Sequence, residues 1–213
     1  HLIFIVKIKI IMKVCILGNG LTSLSLAKAL VNLGIYVDIF YDKKIQKSNN
    51  SRTIGLTRSN IEFFSKNILN LQKISWDIKK IEVFSENLKN NKILNFKNNN
   101  QRIFSILKNN ELYNLLNDNL VKSKLFKFKK NLRNKKMINR NYNLIINCDF
   151  NSDVTKKFFF KQISKNYGSS AYTTIIRHNK VENNIATQTF TNLGPIAFLP
   201  ISERETSVVF SIN

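Results

Sequence analysis

Near the start of the chain, apolar residues come in short runs set apart by small and polar ones. "KVCILG" at residues 13–18 is a short apolar block that predicts a buried strand. In the following "LTSLSLAKALVNLG", Leu21, Leu24, Leu26, Ala27, Leu30 and Val31 recur at helical spacing, and Gly34 predicts the C-terminal stop. "YVDIFY" at 36–41 predicts a second strand, which completes a β–turn–α–β unit of the kind that opens a Rossmann-like sheet. Further on, "SNIEFFSKNILNLQKI" predicts a helix over 59–74 with Ser59 as its N-cap. "KKIEVFSE" alternates as a strand, "NLKNN" turns, and "KILNFKN" follows as its partner. "NNELYNLLNDNLVKS" predicts an amphipathic helix, and "YNLIINCDF" another buried strand.

From residue 168 the rhythm changes. "SAYTTIIRH", "ATQTFTN", "PIAFLPI" and "TSVVFSI" are β-branched and aromatic with turns between them, and predict an antiparallel sheet. The strand pair near 81–97 interrupts the strand–helix half, so the two halves interleave. No internal repeat is present.

The first turn carries candidate chemistry. Gly18 permits a tight turn, and Gly20 lets the backbone approach a pyrophosphate at the helix N-terminus. Ser23 stands where a third glycine belongs; it is only slightly larger, so helix–strand packing survives. Tyr41 stands where an acid would accept hydrogen bonds from ribose hydroxyls; Asp42 follows it. The loop alone does not separate FAD from NAD.

Hydrophobic residues make up 43% of the 213, which fits a folded protein with a sizeable core. The net charge of +21 invites a nucleic-acid reading, but the lysines are scattered. They travel with Asn, Ile and Phe, a joint bias that an AT-rich genome would produce. No helix-turn-helix, zinc pattern or aromatic RNA platform accompanies them, so we expect no nucleic-acid partner. Cys15 and Cys148 make no CxxC pair and read as buried small hydrophobes. With two histidines besides, no metal site is expected. "HLIFIVKIKII" is too short and too charged to span a bilayer. We read residues 1–11 as an upstream extension, with translation starting at Met12, and "SVVFSIN" as a strand-like run in which the chain is cut.

Longer segments add a family resemblance. "SRTIGLTRSNIEFF" (51–64) resembles the arginine-bearing segment of flavin-dependent aromatic hydroxylases. "SWDIKKIEVFSE" (75–86) is similar to their tryptophan-led entry into the substrate sheet. "YNLIINCDFNSDV" (142–154) resembles their second nucleotide motif, a strand ending in Asp-Gly. "YGSSAYTTIIRH" followed by "QTFTNLGPIAFLPI" resembles the ubiquinone-biosynthesis branch, the 2-polyprenylphenol and 2-polyprenyl-6-methoxyphenol hydroxylases.

The resemblance implies an FAD-binding α/β domain interleaved with an antiparallel substrate sheet, incomplete here. The nucleotide domain is expected over 12–74 and 101–160, and the substrate sheet over 75–100 and 161–213. It also implies non-covalent FAD, NAD(P)H or another electron donor, O2, and a prenylated phenol as substrate. By motif match Gly18, Gly20 and Ser23 face the FAD pyrophosphate, and Tyr41 and Asp42 occupy the ribose end. Arg52 lies beside the flavin nucleotide, Asp149 sits in the Asp-Gly motif, and Gly194 and Pro195 shape the substrate side. No catalytic residue is assigned.

So apolar a substrate resides in the bilayer, which implies a cytoplasmic protein peripheral on the inner membrane, with its lysines and arginines aiding contact. A ubiquinone-biosynthesis complex is compatible with this reading. Phe150 departs from the motif by replacing the glycine of Asp-Gly, and the family's third flavin motif, a Gly-Asp-Ala turn, does not occur.

Each residue also has a plainer structural reading. Arg52 reads as a solvated base, Asp149 as a turn cap, His178 as a surface residue and Trp76 as sheet packing. An NAD(P)-dependent reductase on the same loop is the competing enzyme reading, although it leaves the β-rich half unexplained.

Overall fold

Near-continuous runs of buried residues along Lys13–Leu17 and Tyr36–Tyr41 let each strand bury both faces, as parallel strands do. The computed structural model describes residues 12–41, 51–88, 91–99, 101–130, 141–159, 161 and 163–212. It divides into two compact units, His1–Ile45 with Leu116–Phe160, and Gln46–Leu115 with Lys161–Asn213. Stretches 46–74 and 101–115 thus group with the β-rich unit.

The first unit is built on a four-stranded parallel sheet of β1 (Lys13–Leu17), β2 (Tyr36–Tyr41), β8 (Phe126–Lys130) and β9 (Leu144–Asn147), in the order β8-β2-β1-β9. Helix α1 (Leu21–Asn32) joins β1 to β2 and buries Ser23, Leu24, Ala27 and Val31. It stops where Gly34 takes φ +78°, which an L side chain tolerates poorly. On the sheet face that carries Cys15 and Leu17, the side chains of Phe40, Tyr142, Ile145 and Val154 close a small core. Val154 belongs to a short helix, α4 (Asp153–Phe158), which Ser152 caps by accepting the Thr155 N–H. As the edge strand, β9 is half-exposed rather than buried, and Cys148 just beyond it is only half-buried, unlike Cys15.

The second unit holds two sheets. One is antiparallel, formed by β3 (Thr53–Thr57), β7 (Phe104–Lys108) and β4 (Ser75–Ile78) in the order β3-β7-β4. The other has six strands in the order β10-β13-β12-β11-β5-β6, namely β10 (Ser170–Arg177), β13 (Glu205–Ile212), β12 (Gly194–Pro200), β11 (Ile185–Thr191), β5 (Lys80–Ser85) and β6 (Asn91–Lys97). All its pairs are antiparallel except β11 with β5. Ile78, Ile106 and Ala186 form the core between the sheets, with Trp76, Phe104 and Leu199 packed against it. Hydroxyl pairs Ser51–Thr173 (2.9 Å) and Thr53–Ser207 (3.1 Å), with the ion pair Lys108–Glu205 (2.7 Å), tie the sheets polar group to polar group.

Helix α2 spans Arg58–Asn67, shorter than the pattern suggests, and its cap is Thr57 rather than Ser59. The Thr57 hydroxyl accepts the Asn60 N–H, and in Ser59's place the helix is already under way. Helix α3 (Asn109–Val121) buries Leu112, Leu116 and Leu120 on one stripe.

Candidate functional site

The C-terminal edge of the parallel sheet in the first unit brings Gly18, Gly20, Ser23, Tyr41 and Asp149 together. Gly18 has φ +98°, and its N–H donates to the carbonyl of Phe40 (2.8 Å), so the loop is pinned to β2 as it leaves β1. A Cβ on Gly18 would meet the Asp149 Cβ at 3.1 Å and the Asp149 nitrogen at 3.3 Å. Conformation and space both demand glycine there. Gly20 differs: a Cβ there meets nothing within 4 Å. It is the N-cap of α1, no side chain caps that end, and no acid lies in the first turn. The positive end of the helix dipole therefore faces open space, a setting that favours an anion.

Ser23 is fully buried, as expected where α1 meets the sheet. Its hydroxyl finds no well-aligned hydrogen-bond partner. Its electrostatic influence falls on Cys148, whose thiol burial pushes up and the Ser23 hydroxyl draws partly back. Tyr41 ends β2, one residue beyond the carbonyl that holds Gly18, and its ring meets Phe128 edge-on at 5.8 Å. Asp42 lies outside the described residues.

Asp149 takes part in the turn after β9. Its Oδ1 accepts the Asn151 N–H (3.0 Å), and its carbonyl accepts the Thr155 hydroxyl (2.7 Å). Asn147 is the hub of this loop. Its Oδ1 accepts from the Asp149 N–H and the Ser152 hydroxyl, each at 3.2 Å, and its amide donates to Thr155 Oγ1 (2.6 Å). The segment with Phe150 in place of glycine is thus a self-bonded turn that caps α4.

Arg52 belongs to the second unit. It is exposed, its carbonyl accepts the Asn109 N–H (3.0 Å), and its side chain has no partner among the described residues. Gly194 and Pro195 open β12. Gly194 has φ +133°, and a Cβ there would lie 2.0 Å from the Ser211 carbonyl oxygen, so glycine is needed for strand pairing. Trp76 donates its indole N–H to the Asn183 carbonyl, which bears out its packing role. His178 is half-buried: its ring nitrogens contact the Asn179 carbonyl (2.8 Å) and Thr206 Oγ1 (3.0 Å). It lines a cavity of about 510 Å³ in the second unit, with Ile176, Val181, Ile185, Phe198 and Thr206.

The sequence reading passed over one cluster. Asp38, mid-strand in β2, is buried yet charged. Tyr142 Oη donates to its Oδ2 (2.5 Å), and Lys129 and Lys13 lie at 2.9 and 3.3 Å. Burial pushes the Asp38 carboxyl up, but the hydrogen bonds from Tyr142 and Lys129 and the charges of Lys129 and Lys13 outweigh it, holding it below the usual range. Burial and the bond to Asp38 push the Tyr142 phenol up to about 12. A carboxylate inside "VDIF" was the available signal, since an acid in a buried strand must find partners. Among the described residues no group of three or more His, Cys, Asp and Glu could hold a metal ion.

No family model matches the chain, and no curated protein matches it. Solved structures do. PqsL, a probable FAD-dependent monooxygenase from Pseudomonas aeruginosa, superposes with a TM-score of 0.73 at 15% identity, over 94% of this chain and 60% of its own. The tetrameric form of 2-methyl-3-hydroxypyridine-5-carboxylic acid oxygenase gives 0.70 at 14%, over 95% and 59%. The p-nitrophenol 4-monooxygenase PnpA from Pseudomonas putida DLL-E4 gives 0.72 at 12%, over 95% and 58%. The fold is that of the FAD-dependent aromatic hydroxylases. The chain spans about 60% of the length of the first such structures.

The residues at the loop fit an adenine dinucleotide at its pyrophosphate. Gly18 makes the turn, Gly20 leaves the approach open, and the uncapped end of α1 supplies N–H donors. At the end of β2, where the motif expects an acid, the last described residue is Tyr41.

Proposed function

We propose that this chain carries the nucleotide loop and the substrate sheet of an FAD-dependent aromatic monooxygenase. The observation that supports it most is the loop itself: a glycine walled in at Gly18, a glycine open to space at Gly20 and an uncapped helix end, on a fold shared with flavin hydroxylases. Gly18, Gly20 and the first turn of α1 would hold the pyrophosphate of FAD, with Ser23 packing behind them and Tyr41 at the ribose. Arg52 is assigned to the same nucleotide by motif alone. Bound FAD supplies reductive activation of O2 and oxygen transfer to an electron-rich ring, with NAD(P)H or another donor providing electrons. The protein's part is to orient the ring and keep water out.

For the substrate we propose a prenylated phenol of ubiquinone biosynthesis. The segments "YGSSAYTTIIRH" and "QTFTNLGPIAFLPI" support this, as do Ile176, Val181, Ile185 and Phe198, the apolar part of the cavity's mixed lining. Gly194 and Pro195, at the β11–β12 corner, are assigned to the substrate side by motif alone. Among the described residues no helix is long and apolar enough to cross a membrane. We therefore propose peripheral contact with anionic lipid from the cytoplasmic side, aided by the +21 charge. A ubiquinone-biosynthesis complex would be a natural assembly for such an enzyme.

The test is FAD binding by the purified protein, followed by flavin absorbance and by thermal shift against NADH and NADPH. Retained flavin, weakened about tenfold in Gly20→Ala, is the expected result, because a methyl there blocks the pyrophosphate approach. No retained flavin, with Gly20→Ala behaving identically, would remove the cofactor from the proposal.

A further inference from the structure

The chain between the last turn of α4 and the start of β10 holds large apolar side chains in water. Phe158 is 64% exposed, Phe159 60% and Tyr167 77%, and Ile163 is wholly exposed. They belong to "KKFFFKQISKNY" at 156–167, whose described residues are all exposed. The Phe159 N–H donates to the Thr155 carbonyl (2.8 Å) and ends α4. The described residues that follow are in neither helix nor strand until β10 begins at Ser170. Single apolar residues scattered over a surface are ordinary; a concentration of them marks an interaction site.

The charge of the same stretch has one sign. Between Asp153 and Glu182 the sequence has no acid, while Lys156, Lys157, Lys161 and Lys165 fall among the apolar residues. All four lysines are exposed, and none is in an ion pair among the described residues. Elsewhere lysines do find acids: Lys80 and Lys92 share Glu82, and Lys13 and Lys129 share Asp38. Here two of them rest on rings instead, Lys157 over Phe158 at 5.3 Å and Lys165 over Tyr167 at 5.0 Å. An ammonium held beside an exposed ring suits the boundary between lipid headgroups and acyl chains. The ring enters the apolar layer while the ammonium stays with the phosphates.

Nucleic acid, the other polyanion, fits less well. Base stacking needs an open ring face, and the Phe158 and Tyr167 rings each have a lysine over one face. Ile163 offers no ring at all, and the stretch has no arginine to bind a phosphate at two points. We propose that this stretch docks the protein on an anionic bilayer, with its four lysines at the headgroup phosphates and Phe158, Phe159, Ile163 and Tyr167 at the acyl boundary. The proposal rests on the lipid contact proposed above and gives it a place: local charge and apolar surface, not the +21 of the whole chain, carry it.

The test is co-sedimentation of the full chain with vesicles of phosphatidylcholine, alone and mixed with phosphatidylglycerol, at low and physiological salt. We expect binding to the mixed vesicles that weakens as salt rises. Lys156→Gln with Lys157→Gln should weaken it about twentyfold, at about fivefold for each lysine, and flatten its salt dependence. Lys73→Gln with Lys122→Gln removes the same charge at exposed positions elsewhere and should leave binding within about twofold. Phe158→Ser should weaken binding about tenfold with its salt dependence unchanged. Melting temperatures should not move, because every substituted side chain is exposed. In Phe158→Trp, emission beyond that of Trp76 should shift to the blue when mixed vesicles are added, a direct sign of insertion.

Equal losses in the two lysine pairs, or full binding by Phe158→Ser with no blue shift in Phe158→Trp, would overturn the docking stretch and leave the lipid contact standing. Tighter retention on single-stranded RNA than on the mixed vesicles, lost in the same variants, would overturn it in favour of nucleic acid. No binding to either kind of vesicle would overturn the stretch and the lipid contact together.

Discussion

Two loops leave the same edge of the parallel sheet side by side, and they treat their polar groups in opposite ways. The loop after β1 spends one N–H on the Phe40 carbonyl and leaves the end of α1 uncapped over open space. The loop after β9 turns its groups inward: Asn147, Asp149, Ser152 and Thr155 bond one another, and Ser152 caps α4. The first can receive an anion because the end of α1 carries no side-chain cap; the second spends its polar side chains on its own turn. They are nonetheless coupled, since Asp149 is the wall that forbids a side chain at Gly18.

Gly18→Ala strikes that coupling and should have the largest effect. Left-handed backbone strain and the Asp149 wall together should cost about 3 kcal/mol, read as a lowered urea midpoint, and should abolish flavin retention. An unaltered midpoint would mean that the second loop yields freely and that the two are independent.

Next is the strand that pins the first loop. Asp38 is held below its usual range, so its contribution to stability is complete above the unfolded carboxylate value near pH 4 and fades as pH falls through the depressed folded value. Lys129 is shifted upward, first by its bond to Asp38, so its share persists below about pH 10 and fades above. Asp38→Asn should cost about 2–3 kcal/mol at neutral pH and flatten the acid limb of the stability curve. An acid limb identical to that of the unsubstituted protein would show that the cluster carries no net energy.

Asn147→Ala should remove the hub of the second loop for about 1.5 kcal/mol while leaving nucleotide affinity intact, which would sharpen the contrast between receptive and self-bonded loops. The smallest effect belongs to Asp149→Asn. Asparagine still accepts the Asn151 N–H, so stability should move by less than about 0.5 kcal/mol, with FAD affinity unchanged. A drop in affinity of about tenfold would instead return Asp149 to the ligand, as its motif suggests.

The pattern of apolar positions was enough to write down β1, α1, β2, α3, the β5–β6 pair and the four strands from residue 170 onward. Their periodicity and their glycines are local properties, satisfied before any distant partner arrives. The requirement for glycine at position 18 was legible in the same way, because a tight strand-to-helix turn imposes it. Short strands such as β3, β4 and β7 were not legible. They lack the unbroken apolar run that marks β1, and their stability comes from pairing with each other and packing on the larger sheet.

The parallel pairing of β11 with β5, about a hundred residues apart, could be decided only in three dimensions. So could the partners of Asp38, which arrive from Lys129 and Tyr142. The sequence left Asp149 equally suited to a ligand and to a turn, because both need the same carboxylate. Tertiary structure adds the turn contact, by placing the Asn151 N–H 3.0 Å from Oδ1. Residue type sets which hydrogen bonds a side chain can make; only the neighbours that folding brings within reach decide which ones it does make.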